Sequence, residues 1–254
     1  VVVPKEIFSG MVFAIGTTLT GYAWSNDIPD ALYSPEVLWF GGLCSLNCMA
    51  ISVWERNADA VEVDVFLSKD NRIVAIHDKN TKRTTGHDGL VREMTWPELR
   101  KLEAGGWKDR EYKGEPIPLL SDILATVPEG KYLVIEIKCG PEIIQPLAGL
   151  LKKAKVAPSK TAIISFSFDV VATAKKQFPK RAVYYLASIK QNKTNGRWEP
   201  TVESLVKKAR DAGLDGLSLG FKGAVDDSTL LGYLRRMRKN TGSHKLGFYV
   251  WTVN

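Results

Sequence analysis

Glu62 and Asp64 stand two positions apart in Ala60-Val61-Glu62-Val63-Asp64-Val65-Phe66, a run that alternates with the period of a β-strand. Residues two apart on a strand share a face, so the two carboxylates lie side by side. Glu136 and Lys138 repeat the spacing at the end of Lys131-Tyr132-Leu133-Val134-Ile135-Glu136-Ile137-Lys138, and His77 follows the short apolar run Ile73-Val74-Ala75-Ile76. Carboxylates on the inner face of a buried strand are costly unless they are paired or bind a metal. Three of them on two strands make an all-oxygen donor set, which suits Mg²⁺ or Ca²⁺ rather than zinc. A divalent ion and a lysine would neutralise a phosphate, and a histidine would move a proton: the equipment for hydrolysing a phosphodiester. The same residues allow plainer readings. Glu62 and Asp64 could form an exposed edge-strand pair, Glu136 and Lys138 an ordinary same-face ion pair, and His77 a loop hydrogen bond.

The elements that would position these groups alternate in kind. Further strand candidates are 162–165, 182–186, 216–219 and 246–250, and helical patterns run over about 95–103, 119–127, 142–155, 168–178, 201–212 and 227–240. Thr95-Trp96-Pro97-Glu98 has the form of a helix start, with a Thr cap, a Pro in the first turn and a Glu that closes a capping box. Gly213 and Gly242 follow helix candidates, where a left-handed C-cap is expected. Strands alternating with helices imply parallel βα units. The expected fold class is α/β, a TIM-type (β/α) barrel that is irregular or incomplete at both ends, with a doubly wound sheet as the alternative. No G-x-G-x-x-G or Walker-type loop follows any strand, which argues against a nucleotide site. In a barrel, residues at the C-terminal ends of the strands line the active site.

In order along the chain, Ala58-Asp59-Ala60-Val61-Glu62-Val63-Asp64-Val65, Ser68-Lys69-Asp70, His77-Asp78 and Arg83-Thr84-Thr85-Gly86 resemble the glycerophosphodiester phosphodiesterase family. So do Leu102-Glu103-Ala104-Gly105, Pro116-Ile117-Pro118-Leu119, Ile135-Glu136-Ile137-Lys138, Ser165-Phe166-Ser167-Phe168-Asp169 and Val250-Trp251-Thr252-Val253-Asn254. The resemblance runs from about residue 54 to the C-terminus. It implies a TIM-type barrel with one divalent ion, Mg²⁺ or Ca²⁺, that hydrolyses small glycerophosphodiesters to glycerol 3-phosphate and an alcohol. By position, Glu62, Asp64 and Glu136 resemble the metal ligands, His77 one of two catalytic histidines, and Lys138 a phosphate contact. Trp251 is similar to an aromatic residue at the substrate mouth, with core packing at the rim as its other reading.

The chain departs from the family at both ends. The family's first strand ends in His-Arg-Gly, whereas here Phe8-Ser9-Gly10 stands where that triplet is expected, and no histidine precedes His77. His87 and His244 read as surface residues. Residues 1–53 are expected to form an atypical N-terminal segment, diverged, inserted or frame-shifted, ahead of a barrel domain over 54–254. The family continues past its Trp-Thr-Val-Asn with another helix and strand, so this chain reads as a fragment or an incomplete gene product.

Composition narrows the rest. With 254 residues, 44% hydrophobic and 25% charged, the chain excludes disordered, collagenous and coiled-coil classes. Three cysteines and three histidines are too few for a disulfide framework or a zinc site. The net charge of +7 comes from helix-like stretches such as Lys207-Lys208-Ala209-Arg210, without an aromatic-interleaved motif, so no nucleic-acid partner is expected. Ile7–Asn26 and Val37–Trp54 carry no charge and approach the length of a membrane span, but Gly, Ser, Thr and Asn dilute them. A membrane role is therefore not favoured, and a cytoplasmic location is the leading expectation.

Overall fold

A computed structural model describes residues 60–222 and 228–253. The expected N-terminal segment and the two uncharged stretches lie outside the described residues. Among the described residues, no helix is long and apolar enough to cross a membrane. The chain divides into two compact units, the second beginning at Ile163.

The first unit is built on β1 (Ala60–Leu67), β2 (Ile73–Ala75) and β3 (Tyr132–Ile137). β1 pairs parallel with β3, from Ala60 opposite Tyr132 to Val65 opposite Ile137. Val61, Val63, Val65 and Leu67 fill one face of β1, and Glu62 and Asp64 are buried on the other. Being covered on both sides is the ordinary condition of a parallel strand; carboxylates on one side are not.

β2 corrects the expectation of uniformly parallel strands, because it runs antiparallel to β1, with Val65 opposite Ala75 and Leu67 opposite Ile73. The connection Ser68–Arg72 is far too short for a crossover, which takes a dozen residues or more. It is a closed turn instead. The Ser68 hydroxyl donates to Asp70 Oδ1 at 2.7 Å and accepts the Arg72 N–H at 2.9 Å, and Asn71 takes a left-handed φ of 59°. One side of the hairpin covers a cluster of Val74, Ile76, Val91, Leu99 and Ile117, each worth about 1.5–3 kcal/mol on full burial.

The expected helix over 95–103 is a single turn, α2 (Trp96–Leu99), which follows the equally short α1 (Lys82–Thr85). The capping box is present: Glu98 Oε2 accepts both the Thr95 N–H and the Thr95 hydroxyl at 2.7 Å. The helix goes no further because Glu103 accepts the N–H groups of Gly105, Gly106 and Gly114 and folds the segment into a loop. α3 (Leu120–Thr126) and α4 (Ile144–Lys153) occupy the expected stretches.

In the second unit, β5 (Ala182–Gln191) pairs parallel with β7 (Gly216–Lys222), which pairs parallel with β8 (Gly247–Val253). The end of β4 (Thr161–Ser165) lies beside β5. β5 runs five residues beyond expectation because β6 (Trp198–Glu199) folds back on it as a hairpin. Helices α5 (Phe168–Gln177), α6 (Val202–Asp211) and α7 (Ser228–Ser243) alternate with these strands. Gly213 has the expected left-handed φ of 63° after α6. The cap expected at Gly242 is not there: α7 continues to Ser243, and the left-handed residue is Lys245.

Candidate metal centre and cleft

The register of β1 on β3 assembles the acidic site. Asp64 is the direct partner of Glu136, and Glu62, two residues earlier on the same face as Asp64, partners Val134. One carboxylate oxygen from each of Glu62, Asp64 and Glu136 lies within 4.8 Å of the others. All three residues are buried, which excludes the exposed edge-strand reading. Lys138, two residues past Glu136, stays on the sheet because its N–H donates to the Val65 carbonyl at 3.1 Å. Its ammonium lies 2.5 Å from Glu136 Oε1 and 3.1 Å from Asp64 Oδ1. The plain ion-pair reading of Glu136 and Lys138 therefore holds, inside a cluster with two more carboxylates.

The electrostatics of the cluster favour a cation. Burial first, and then the neighbouring carboxylates of Asp64 and Glu136, hold the Glu62 carboxyl well above the usual carboxylate range. Burial also raises Glu136, against the pull of Lys138. Burial alone would lower the Lys138 ammonium, but Asp64 and Glu136 outweigh it and raise it. With all three carboxylates ionised, one ammonium leaves a charge deficit that a single divalent ion would cancel. Glu62 Oε1 is buried without a hydrogen-bond partner among the described residues, a position that normally calls for a water, a proton or an ion. A buried, all-oxygen donor set with an unsatisfied oxygen fits a hard divalent cation.

His77 reaches the site by the hairpin rather than at the end of a parallel strand. The Ile76 N–H donates to the Asp64 carbonyl at 3.0 Å, so the next residue, His77, is delivered at the level of the acidic pair. His77 Nδ1 lies 2.6 Å from Asp78 Oδ1, and the other Asp78 oxygen accepts from Arg83 Nε. That bond from Arg83, more than the one from His77, holds the Asp78 carboxyl below its usual value. An ionised carboxylate only accepts hydrogen bonds, so Nδ1 carries the proton and Nε2 is left for chemistry. The Arg83 guanidinium also sits over the Trp107 ring, 5.0 Å from its centroid.

His77, Lys138 and Phe66 line one cleft of about 750 Å³ together with Asp78, Lys79 and Arg83. The roles of Asp78 and Arg83 were not visible in the spacing of the carboxylates. The signal for them is the dipeptide His77-Asp78 followed five residues later by Arg83. Trp251 lies on β8 in the second unit, as the extra residue of a bulge between the Leu219–Val250 and Gly220–Thr252 pairs. Its side chain lies outside the described residues. His87 and His244 are exposed, as expected.

A family model described as the glycerophosphoryl diester phosphodiesterase family matches residues 50–254. The chain is 35% identical over 130 residues to a glycerophosphodiester phosphodiesterase of Caldanaerobacter subterraneus subsp. tengcongensis, across 49% of this chain and 53% of that protein. It is 26% identical over 218 residues to a glycerophosphodiester phosphodiesterase of Bacillus subtilis, across 79% and 68% respectively. Among solved structures, a phosphodiesterase of Oleispira antarctica in complex with the product sn-glycerol-3-phosphate matches with a TM-score of 0.61 at 22% identity, covering 87% of this chain and 79% of that one. The chain spans about half the length of curated relatives such as the first of these. The likeness to solved structures gives the fold as the (β/α) barrel of these phosphodiesterases, and the β1–β2 and β5–β6 hairpins are its irregular features here.

Proposed function

This chain belongs to the glycerophosphoryl diester phosphodiesterase family, and from that membership we propose that it hydrolyses glycerophosphodiesters to glycerol 3-phosphate and an alcohol, with Mg²⁺ or Ca²⁺ held by Glu62, Asp64 and Glu136. The observation that carries the reading is the buried carboxylate cluster with its unpartnered Glu62 oxygen. When bound, the ion supplies positive charge to phosphate oxygens and acidity to water. Lys138, which shares the cluster and lines the cleft, holds a further phosphate oxygen and so stabilises charge that builds up in the transition state. As the imidazolium, His77 gives its Nε2 proton to the leaving alkoxide, and the neutral imidazole regains a proton from the attacking water. Asp78 keeps Nδ1 protonated and steadies the charge of the imidazolium. The product complex of the Oleispira protein supports glycerol 3-phosphate as the product retained by this kind of site. No histidine stands between Val1 and His77, so His77 is the one histidine this reading uses.

The test is release of glycerol 3-phosphate from glycerophosphocholine by the purified chain, with Mg²⁺, Ca²⁺ or EDTA, beside a His77→Ala variant. Turnover should need the metal and fall by about 10²–10⁴ in the variant. Full turnover in EDTA would remove the metal from the reading, and an unchanged rate in His77→Ala would remove the histidine.

A further inference from the structure

The cleft carries more positive charge than one phosphodiester can use. Lys138 and a divalent ion at the acidic cluster are already assigned to the phosphate, and together they would leave that cluster neutral. Arg83 is committed too, held by Asp78 and lying over Trp107. Two more cations line the same cleft, Lys79 and Lys82. Lys82 reaches Asp88 at 2.8 Å, but both side chains are more than 60% exposed, and such a pair is weak and exchangeable. Lys79 is exposed and forms no ion pair among the described residues.

These two lysines sit on an anchored segment, which distinguishes them from a loose basic tail. The Val91 N–H donates to the Lys79 carbonyl at 3.0 Å. The Asn80 side chain accepts the Lys82 N–H at 2.9 Å and donates to Asp88 at 2.8 Å. Thr81, fully buried, gives its hydroxyl to the His87 carbonyl at 2.6 Å and its N–H to the Gly89 carbonyl at 3.0 Å. The segment begins immediately after His77-Asp78 and lines the same cleft as His77, the proposed proton donor to the leaving alcohol.

We propose that Lys79 and Lys82 form a second anion subsite on the cleft, selecting glycerophosphodiesters whose alcohol carries its own phosphate or carboxylate. The proposal rests on the hydrolase reading for its placement, and it names the substrate class of that site. A neutral or cationic alcohol would leave both lysines unanswered. An anionic one would complete the charge balance of the cleft at partly exposed positions, where each contact changes affinity by a few-fold.

Calorimetry of the full chain carrying His77→Ala, in Mg²⁺, with glycerophosphoglycerol and with glycerophosphoglycerol phosphorylated on its leaving glycerol tests this directly. The phosphorylated diester should bind about three- to tenfold more tightly at low salt, and the advantage should fade at about 0.5 M salt as screening takes hold. Lys79→Gln combined with Lys82→Gln on that background should bring the two affinities together while leaving glycerophosphoglycerol within about twofold of its parent, and Lys79→Arg should keep the preference. Equal affinities in the His77→Ala chain, or a preference that survives the double substitution, would overturn the proposal. Absence of turnover on any diester, with the binding preference and its loss as described, would overturn the hydrolase reading and leave the subsite standing.

Discussion

Asp64 and Glu136 are direct partners across the parallel β1–β3 ladder, and both carboxylates lie against the same ammonium, that of Lys138. Neighbouring carboxylates on a buried sheet repel each other and lose water, so the arrangement persists only with a cation between them. In the absence of metal, Lys138 fills that role. Lys138→Met should therefore destabilise the metal-free protein by about 1–3 kcal/mol, below the 3–5 kcal/mol of a fully buried pair because Lys138 keeps some solvent contact. Added Mg²⁺ should restore most of the loss. Urea denaturation in EDTA and in Mg²⁺ measures both quantities, and a variant as stable as wild type in EDTA would show that Lys138 does not hold the pair together.

The pH dependence follows from Glu62. Its carboxyl, raised by burial and by Asp64 and Glu136, binds its proton more tightly in the fold than in the unfolded chain. In the metal-free protein this contribution to stability is full below the ordinary value of 4.5 and is lost as pH rises toward the folded value. A metal competes with that proton, so its affinity should rise over the same interval. The stabilisation given by Mg²⁺, read as a thermal shift against EDTA, should grow as pH rises above the ordinary carboxylate value of 4.5. A shift of constant size across that range would mean that Glu62 does not give up a proton to the ion.

The acidic site was legible because its signal is local. Period-two spacing puts Glu62 beside Asp64 and Glu136 beside Lys138 whatever the strands do next, and only the register of β1 on β3 was missing. The route of His77 was not legible as a direction. The turn residues Ser68, Asp70 and Asn71 reverse the chain, while the apolar run Ile73-Val74-Ala75-Ile76 reads the same in a parallel or an antiparallel strand. Gly242 misled for a comparable reason. A glycine after a helical pattern suggests a stop, yet Tyr233, Met237 and Thr241 are buried at intervals of four and carry the packed face of α7 past it. The Thr241 hydroxyl bonds back to the Met237 carbonyl at 2.9 Å and helps to hold that turn. Asp78, Arg83, Lys79 and Lys82 became a group only when the fold set them along one cleft.

The second unit has its own test of packing. Phe221 on β7 stands between Trp198 and Tyr233, with ring centroids 6.2 and 5.9 Å away and both pairs edge to face. The buried Tyr233 hydroxyl donates to the Pro200 carbonyl at 2.7 Å. Phe221→Ala should cost about 3–5 kcal/mol through the cavity it opens, and Tyr233→Phe about 1–2 kcal/mol through the carbonyl it leaves unanswered. Urea unfolding followed by tryptophan fluorescence orders the two. A Tyr233→Phe variant as stable as wild type would mean that the hydroxyl bond adds nothing to the ring packing, and equal losses would mean that the Phe221 ring does not dominate it.

Asp78 should act on the reaction only through His77. Its carboxylate fixes the imidazole tautomer and stabilises the imidazolium, and Arg83 in turn fixes Asp78. Asp78→Asn keeps the size but can turn its amide toward Nδ1, favouring the wrong tautomer. His77 and Asp78 are both partly solvated, so water replaces some of what is lost, and kcat should fall by about 10–100-fold rather than further. KM should change little, since the proposed phosphate contacts, Lys138 and the metal, are untouched by the substitution. Introduced into His77→Ala, the same substitution should cost almost nothing more, because two groups that act as one unit are not additive. A full additional loss on the His77→Ala background would show that Asp78 touches the substrate or supports the fold in its own right, and the positioning role would be wrong.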